Sequence, residues 1–152
     1  MKRQLICTLL GAVFLSSFVR SEKMGCGQSG IKGHLYLERG NRMPSPDDPI
    51  IPPKGIKTTL YIYELTNLGQ VSRDGVSAFY RSISTSFIKQ VESAEDGSFQ
   101  TPLQPGKYSL FVKKGDLFYS NVFDGDNNIH PVEVKKGAVT EVNFKVNYDA
   151  VY

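Results

Sequence analysis

The sequence predicts an all-β protein, a sandwich of seven or eight short, mostly antiparallel strands with two long loops at about 43–55 and 65–79. Three observations carry that expectation. From residue 30 onward, apolar residues recur at every second position, the period at which the side chains of a strand share a face. Those stretches are filled with Val, Ile, Thr, Tyr and Phe, which fit a pleated, half-buried surface. Clusters of Gly, Pro, Asn and Asp cut them at the spacing of short strands in a sandwich or barrel.

In chain order, the first element is a targeting segment. Met1-Lys2-Arg3 is a positive start and Leu5 to Val19 an apolar run too short to span a bilayer comfortably, the pattern of a secretory signal. Val19 and Ser21 meet the small-residue requirement of a signal peptidase and place the mature start near Glu22. The organisation read from this is a signal peptide 1–21, an N-terminal tail 22–29 and one domain 30–152. Lys2, Arg3 and Arg20 account for the whole surplus behind the formal net charge of +3, so the processed chain is neutral. A neutral chain offers no basic footprint for nucleic acid, and that partner class is set aside. The expected location is exported: periplasmic, outer-membrane-associated or secreted.

Cys7 leaves with the signal and Cys26 remains alone, unable to form an internal disulfide. Two readings stay open. Cys26 is a lipidation site, with Gly25 correctly placed before it but Lys23 where an apolar residue belongs, or it is a free thiol on the tail. A membrane partner follows only from the first.

Ile31, Gly33, Leu35 and Leu37 alternate with Lys32, His34, Tyr36 and Glu38 in the first strand. Residues 43–55 hold five of the eight prolines, which cannot donate to a ladder, and predict an extended polyproline-like loop. Thr58 to Glu64 is a second strand, Leu60 and Ile62 opposing Tyr61 and Tyr63. Asn67, Gly69, Asp74 and Gly75 punctuate a loop with a short turn of helix. Tyr80 to Glu92 alternates weakly, with Ile83, Thr85, Phe87 and Val91 as the inward set.

Glu95-Asp96-Gly97 and Gln104-Pro105-Gly106 are turns, since Gly accepts positive φ and Pro presets a corner. With strands on either side they predict a three-stranded meander, the last strand setting Tyr108, Leu110 and Val112 against Ser109, Phe111 and Lys113. Leu117 to Phe123 is aromatic-rich, 124–128 is a loop, and Pro131 to Lys135 is a short strand with Val132 and Val134 inward. After the Lys136-Gly137 turn, Val139 to Val146 is the last long strand, burying Val142, Phe144 and Val146.

Gly30-Ile31-Lys32-Gly33, Tyr61-Ile62-Tyr63, Asp96-Gly97-Ser98-Phe99, the run Leu103 to Leu110 and Val134-Lys135-Lys136-Gly137 together resemble the carboxypeptidase regulatory-like domain. The resemblance implies a transthyretin-like (prealbumin-like) Greek-key sandwich over residues 30 to 147. It implies a stand-alone exported accessory protein of a bacterial envelope, and it transfers no catalytic residue. The two long loops depart from the family pattern.

Candidate chemistry is sparse. Asp124, Asp126 and Asn128 open like a calcium loop, but Ile129 and Lys135 stand where that loop needs Gly and Glu, so a polar turn is the better reading. His34 and His130 need a converging carboxylate or third ligand that the sequence does not name. No serine elbow and no phosphate-binding glycine loop is present. No catalytic, metal or cofactor residue is therefore assigned. Tyr61, Tyr63 and Phe111, on the faces opposite the inferred core, are the expected binding surface for a protein or glycan partner, with Phe118, Tyr119 and Phe123 crowded nearby. Coverage of that face by the long loops is the competing expectation. The functional expectation is a non-catalytic envelope or secreted protein, structural or binding. The alternative is a small exported hydrolase or metal-dependent enzyme in which His34, His130 and a carboxylate meet.

Overall fold

The computed structural model describes Gly25 and residues 27–41, 52–75 and 77–151; the expected signal peptide, Cys26 as candidate lipidation site and residues 42–51, where the proline-rich loop is expected, lie outside the described residues. Eleven strands and a single 3₁₀ turn make up the described chain: β1 Gly30–Asn41, β2 Lys54–Gly55, β3 Thr59–Glu64, the turn Leu68–Gln70, β4 Val71–Arg73, β5 Phe79–Ile83, β6 Phe87–Glu92, β7 Ser98–Pro102, β8 Gly106–Lys114, β9 Leu117–Tyr119, β10 Pro131–Val134 and β11 Val139–Val151. They form two sheets packed as a sandwich. The larger runs β4-β5-β9-β8-β3-β6, with β10 beside β8; the smaller centres on β1, with β11 on one side and β7 and β2 on the other. Among the described residues, no helix is long and apolar enough to cross a membrane.

The inward sets expected from alternation meet between the sheets. Ile31, Leu35, Leu60, Ile62, Val91, Leu110, Val112, Phe144 and Val146 lie within one core, none more than marginally exposed. Burying a side chain of this size contributes about 1.5–3 kcal/mol, so these few dominate the stability of the layer.

Two expectations need correction, and one pairing was not foreseen. The stretch from β6 to β8 is no meander, because β7 pairs with β1 in the smaller sheet while β6 and β8 flank β3 in the larger. The turn at Gly97 carries the chain across the sandwich and the turn at Pro105 returns it. Alternation reports that one face is buried but not which sheet supplies the neighbour, since both sheets bury into the same core. Next, β1 and β11 pair in parallel from Gly30↔Val139 to Leu37↔Val146, unlike the other described pairs. The closing strand returns beside the opening one from the far side of the domain, a crossover that no local turn encodes. Lastly, the loops hold short strands of their own: Lys54-Gly55 pairs with β1, and Val71–Arg73 with β5.

Two glycines allow close backbone approaches within the smaller sheet. A Cβ on Gly33 would sit 1.7 Å from the Val142 carbonyl oxygen of β11. Gly97 adopts φ +84°, and a Cβ there would lie 2.3 Å from the Leu35 oxygen, while its own carbonyl accepts the Leu35 amide at 2.9 Å. The crossing turn is thus docked on β1, and Asp96 braces it by accepting from the Ser98 amide and hydroxyl. At the return turn the Tyr108 hydroxyl donates to the Gln104 carbonyl at 2.8 Å.

Candidate functional site

The central strands of the larger sheet carry aromatic residues in the phase that points away from the sandwich core. Tyr61 pairs with Phe111 across β3 and β8, and Lys113 with Phe118 across β8 and β9. The rings pack edge to face: Tyr61 with Phe118 at 5.6 Å between centroids, and Tyr63 with Phe111 and Phe118 at 5.7 Å each. This geometry sets the positive ring edge on the negative ring face. Tyr80 of β5 joins through Phe111 at 5.9 Å. Lys113 Nζ lies 4.5 Å from the Phe118 centroid and 5.2 Å from that of Tyr61, a cation over two rings.

This face is a second core. Tyr80, Phe111 and Ile129 are fully buried, and Leu68, Val71 and Ile83 from the 3₁₀ turn, β4 and β5 pack against them. Phe111, expected on a binding surface, cannot reach a partner, because the chain of the second long loop and β5 has closed over it. Tyr61 and Tyr63 are half-buried. Burial, and after it the neighbouring Tyr61, raise the Tyr63 phenol above its ordinary range.

What remains open at the margin of this cluster was misassigned by alternation. Phe87, expected inward, is 51% exposed and packs on Tyr63 at 5.5 Å. The cause is a bulge: Ile62 opposes Lys89 and Tyr63 opposes Phe87, so Ile88 is an extra residue in β6. One extra residue reverses the faces beyond it, and Phe87 turns to the side of Tyr63. Ile88 is 40% exposed beside a groove of about 410 Å³ lined also by Lys89, Pro102, Leu103 and Gln104. The adjacency Phe87-Ile88 was the available signal, since two consecutive apolar residues in a strand cannot share a face. Val122 and Phe123 form another exposed apolar pair.

The histidines do not converge. His34 sits on the outer face of the smaller sheet, stacked on Tyr36 at 5.7 Å. His130 is buried against the inner side of that sheet, its ring 4.5 Å from that of Phe144 and nearly parallel to it. The sheet stands between them, and no site uses both. Asp96 is the carboxylate near His34, but its Oδ1 accepts from the Ser98 hydroxyl and amide. These hydrogen bonds hold its carboxyl below the usual range, with His34 a lesser contribution. His130 has φ +40° and donates its amide to the Val122 carbonyl; its Nδ1 has no partner, and burial lowers its pKa to about 4.

Asp124 uses both carboxylate oxygens within its own loop. Oδ1 accepts the amides of Asp126 and Asn128, and Oδ2 accepts Asn128 Nδ2, which holds the acid below its usual range. Asn67 donates to the Asp126 carbonyl and the Leu68 amide to that of Asn127, docking this loop on the 3₁₀ turn. Among the described residues, no group of three His, Cys, Asp or Glu side chains is placed to hold a metal ion.

No family model matches this chain, and neither the curated proteins nor the solved structures include one similar to it.

Proposed function

We propose that this chain is a non-catalytic, exported cell-envelope or secreted protein whose β-sandwich binds a protein or glycan through the rim of the larger sheet at Phe87 and Ile88. The observation that carries this reading is the half-exposed Phe87 ring, braced by Tyr63 and followed by Ile88 at the mouth of a groove. A large ring held rigid from behind offers contact area at little entropic cost on binding. The resemblance to the carboxypeptidase regulatory-like domain and the signal-like N-terminus support the same reading, and so does Cys26 if it is acylated.

The test compares the wild type with a Phe87→Ser/Ile88→Ser variant in capture from envelope extracts and on immobilised glycans. The variant is expected to lose the partner recovered by the wild type. Equal recovery by both forms removes this rim as the interface. Mass spectrometry of the mature N-terminus tests export: a start at Glu22 or an acylated Cys26 supports it, and an intact Met1 in cell fractions rejects it.

A further inference from the structure

The geometry points to a second copy of this chain as the partner of β11, joined antiparallel about a twofold axis through Asn143. β11 is the longest strand of the fold and an edge of the smaller sheet, hydrogen-bonded to β1 alone. Other edges are short or guarded: β2 has two residues, β4 three, β10 four and β7 five with Pro102 at its end, and β6 carries a bulge and Lys89; the irregularity of β11 itself lies past Val146, beyond the regular stretch 139–146. Bulges, charges and brevity are the usual protection of an edge against foreign strands.

Two observations orient the free groups of β11. The Ala138 carbonyl accepts the Gly30 amide, and the Val142 carbonyl lies against Gly33, so the even-numbered residues turn their backbone groups to β1. In a parallel ladder the alternate residues then turn theirs away. Glu141, Asn143 and Lys145 consequently present N–H and C=O groups to the open edge. Among the described residues β11 pairs with β1 alone, and the three side chains are exposed, Lys145 Nζ lying 3.8 Å from Glu38 Oε1 of its own sheet.

The charge order along this edge, acidic then neutral then basic, selects the partner. In an antiparallel pair centred on Asn143, Glu141 of each copy faces Lys145 of the other, and both pairs fall at hydrogen-bonded positions of the new ladder. Moving the centre to Lys145 or to Glu141 sets like charges opposite each other at the axis, which is destabilising. The order that repels most strands therefore matches its own reversed copy, and the contact is isologous, closing at two subunits. The inference stands apart from the rim at Phe87, which lies on the other sheet.

Sedimentation equilibrium of the purified full chain tests this alongside Glu141→Lys, Lys145→Glu and the charge-swapped double variant. A dimeric wild type is expected, with each single change weakening the dimer about tenfold or more and the double variant recovering it. Asn143→Pro removes only an outward N–H and is expected to give a monomer with unchanged β circular dichroism. A monomeric wild type overturns the proposal. So does a dimer indifferent to the single changes, or one that the double variant fails to restore while its thermal midpoint shows it folded.

Discussion

The two sheets differ in what their outer faces meet. On the smaller sheet, Lys32, Glu141, Asn143 and Lys145 face water while Ile31, Leu35, Val142 and Phe144 fill the interlayer core. On the larger sheet the outward phase is also apolar, and Phe111 and Tyr80 are as deeply buried as any residue between the layers. A strand with one polar phase has one buried face, and a strand with two apolar phases has two. Among the described residues the larger sheet is therefore covered on both faces at its centre, and Phe87 and Ile88 are exposed at its rim.

The largest effect sharpens the contact between strands of the smaller sheet. Gly33→Ala brings a methyl into the Val142 carbonyl, and because that neighbour is backbone it has no rotamer to retreat to. Loss of the cooperative unfolding transition, or destabilisation beyond about 4 kcal/mol, is expected in urea denaturation; near-wild-type stability would show that β1 and β11 do not approach so closely.

Next in size, Phe111→Ala and Phe144→Ala test whether the two cores are alike. Each is expected to cost about 3–5 kcal/mol, as for a buried ring anywhere. A cost under about 1 kcal/mol at Phe111 alone would mean that the outer cluster is a loose cover and would return that face to the list of binding surfaces.

His130 titrates between the cores. Its neighbour Ile129 belongs to the outer cluster, while its own ring lies on Phe144 of the inner one. Its folded pKa, about 4, is below the ordinary 6.5, so the unfolded chain takes the proton first. Stability is full above about pH 6.5, declines as pH falls toward about 4 by up to about 3 kcal/mol, and loses nothing further from this group below that. His130→Asn, which tolerates the positive φ, should flatten the curve in that window; Asp96 and Asp124, both lowered, act only in more acid solution. An unchanged curve would assign the loss to other groups.

The smallest expected effect is at the rim. Phe87→Ser should move stability by no more than about 1 kcal/mol, since half the ring is already in water, yet abolish partner capture. A large loss of stability there would make Phe87 part of the outer core.

Much of this was legible because side-chain period is a local property. The inward sets of β1, β3, β8, β10 and β11 follow from alternation, and Gly97 sits at the turn where positive φ was expected. Phe87 was misread because a bulge is one residue of slippage with no sequence mark beyond two adjacent apolar side chains. Phe111 was misread because exposure depends on residues 68 to 83 folding over it, a contact between segments some thirty positions apart.

By itself the sequence determined that the domain from residue 30 is built of strands joined by turns, and which faces of most of those strands are apolar, because φ preferences and the two-residue repeat act within a few residues. Only the tertiary structure decided that β7 crosses to the other sheet, that β11 returns parallel to β1, and which aromatic faces are covered. Those outcomes depend on which distant strand completes each ladder and each core, and the energy of that choice resides in contacts that neighbouring residues do not share.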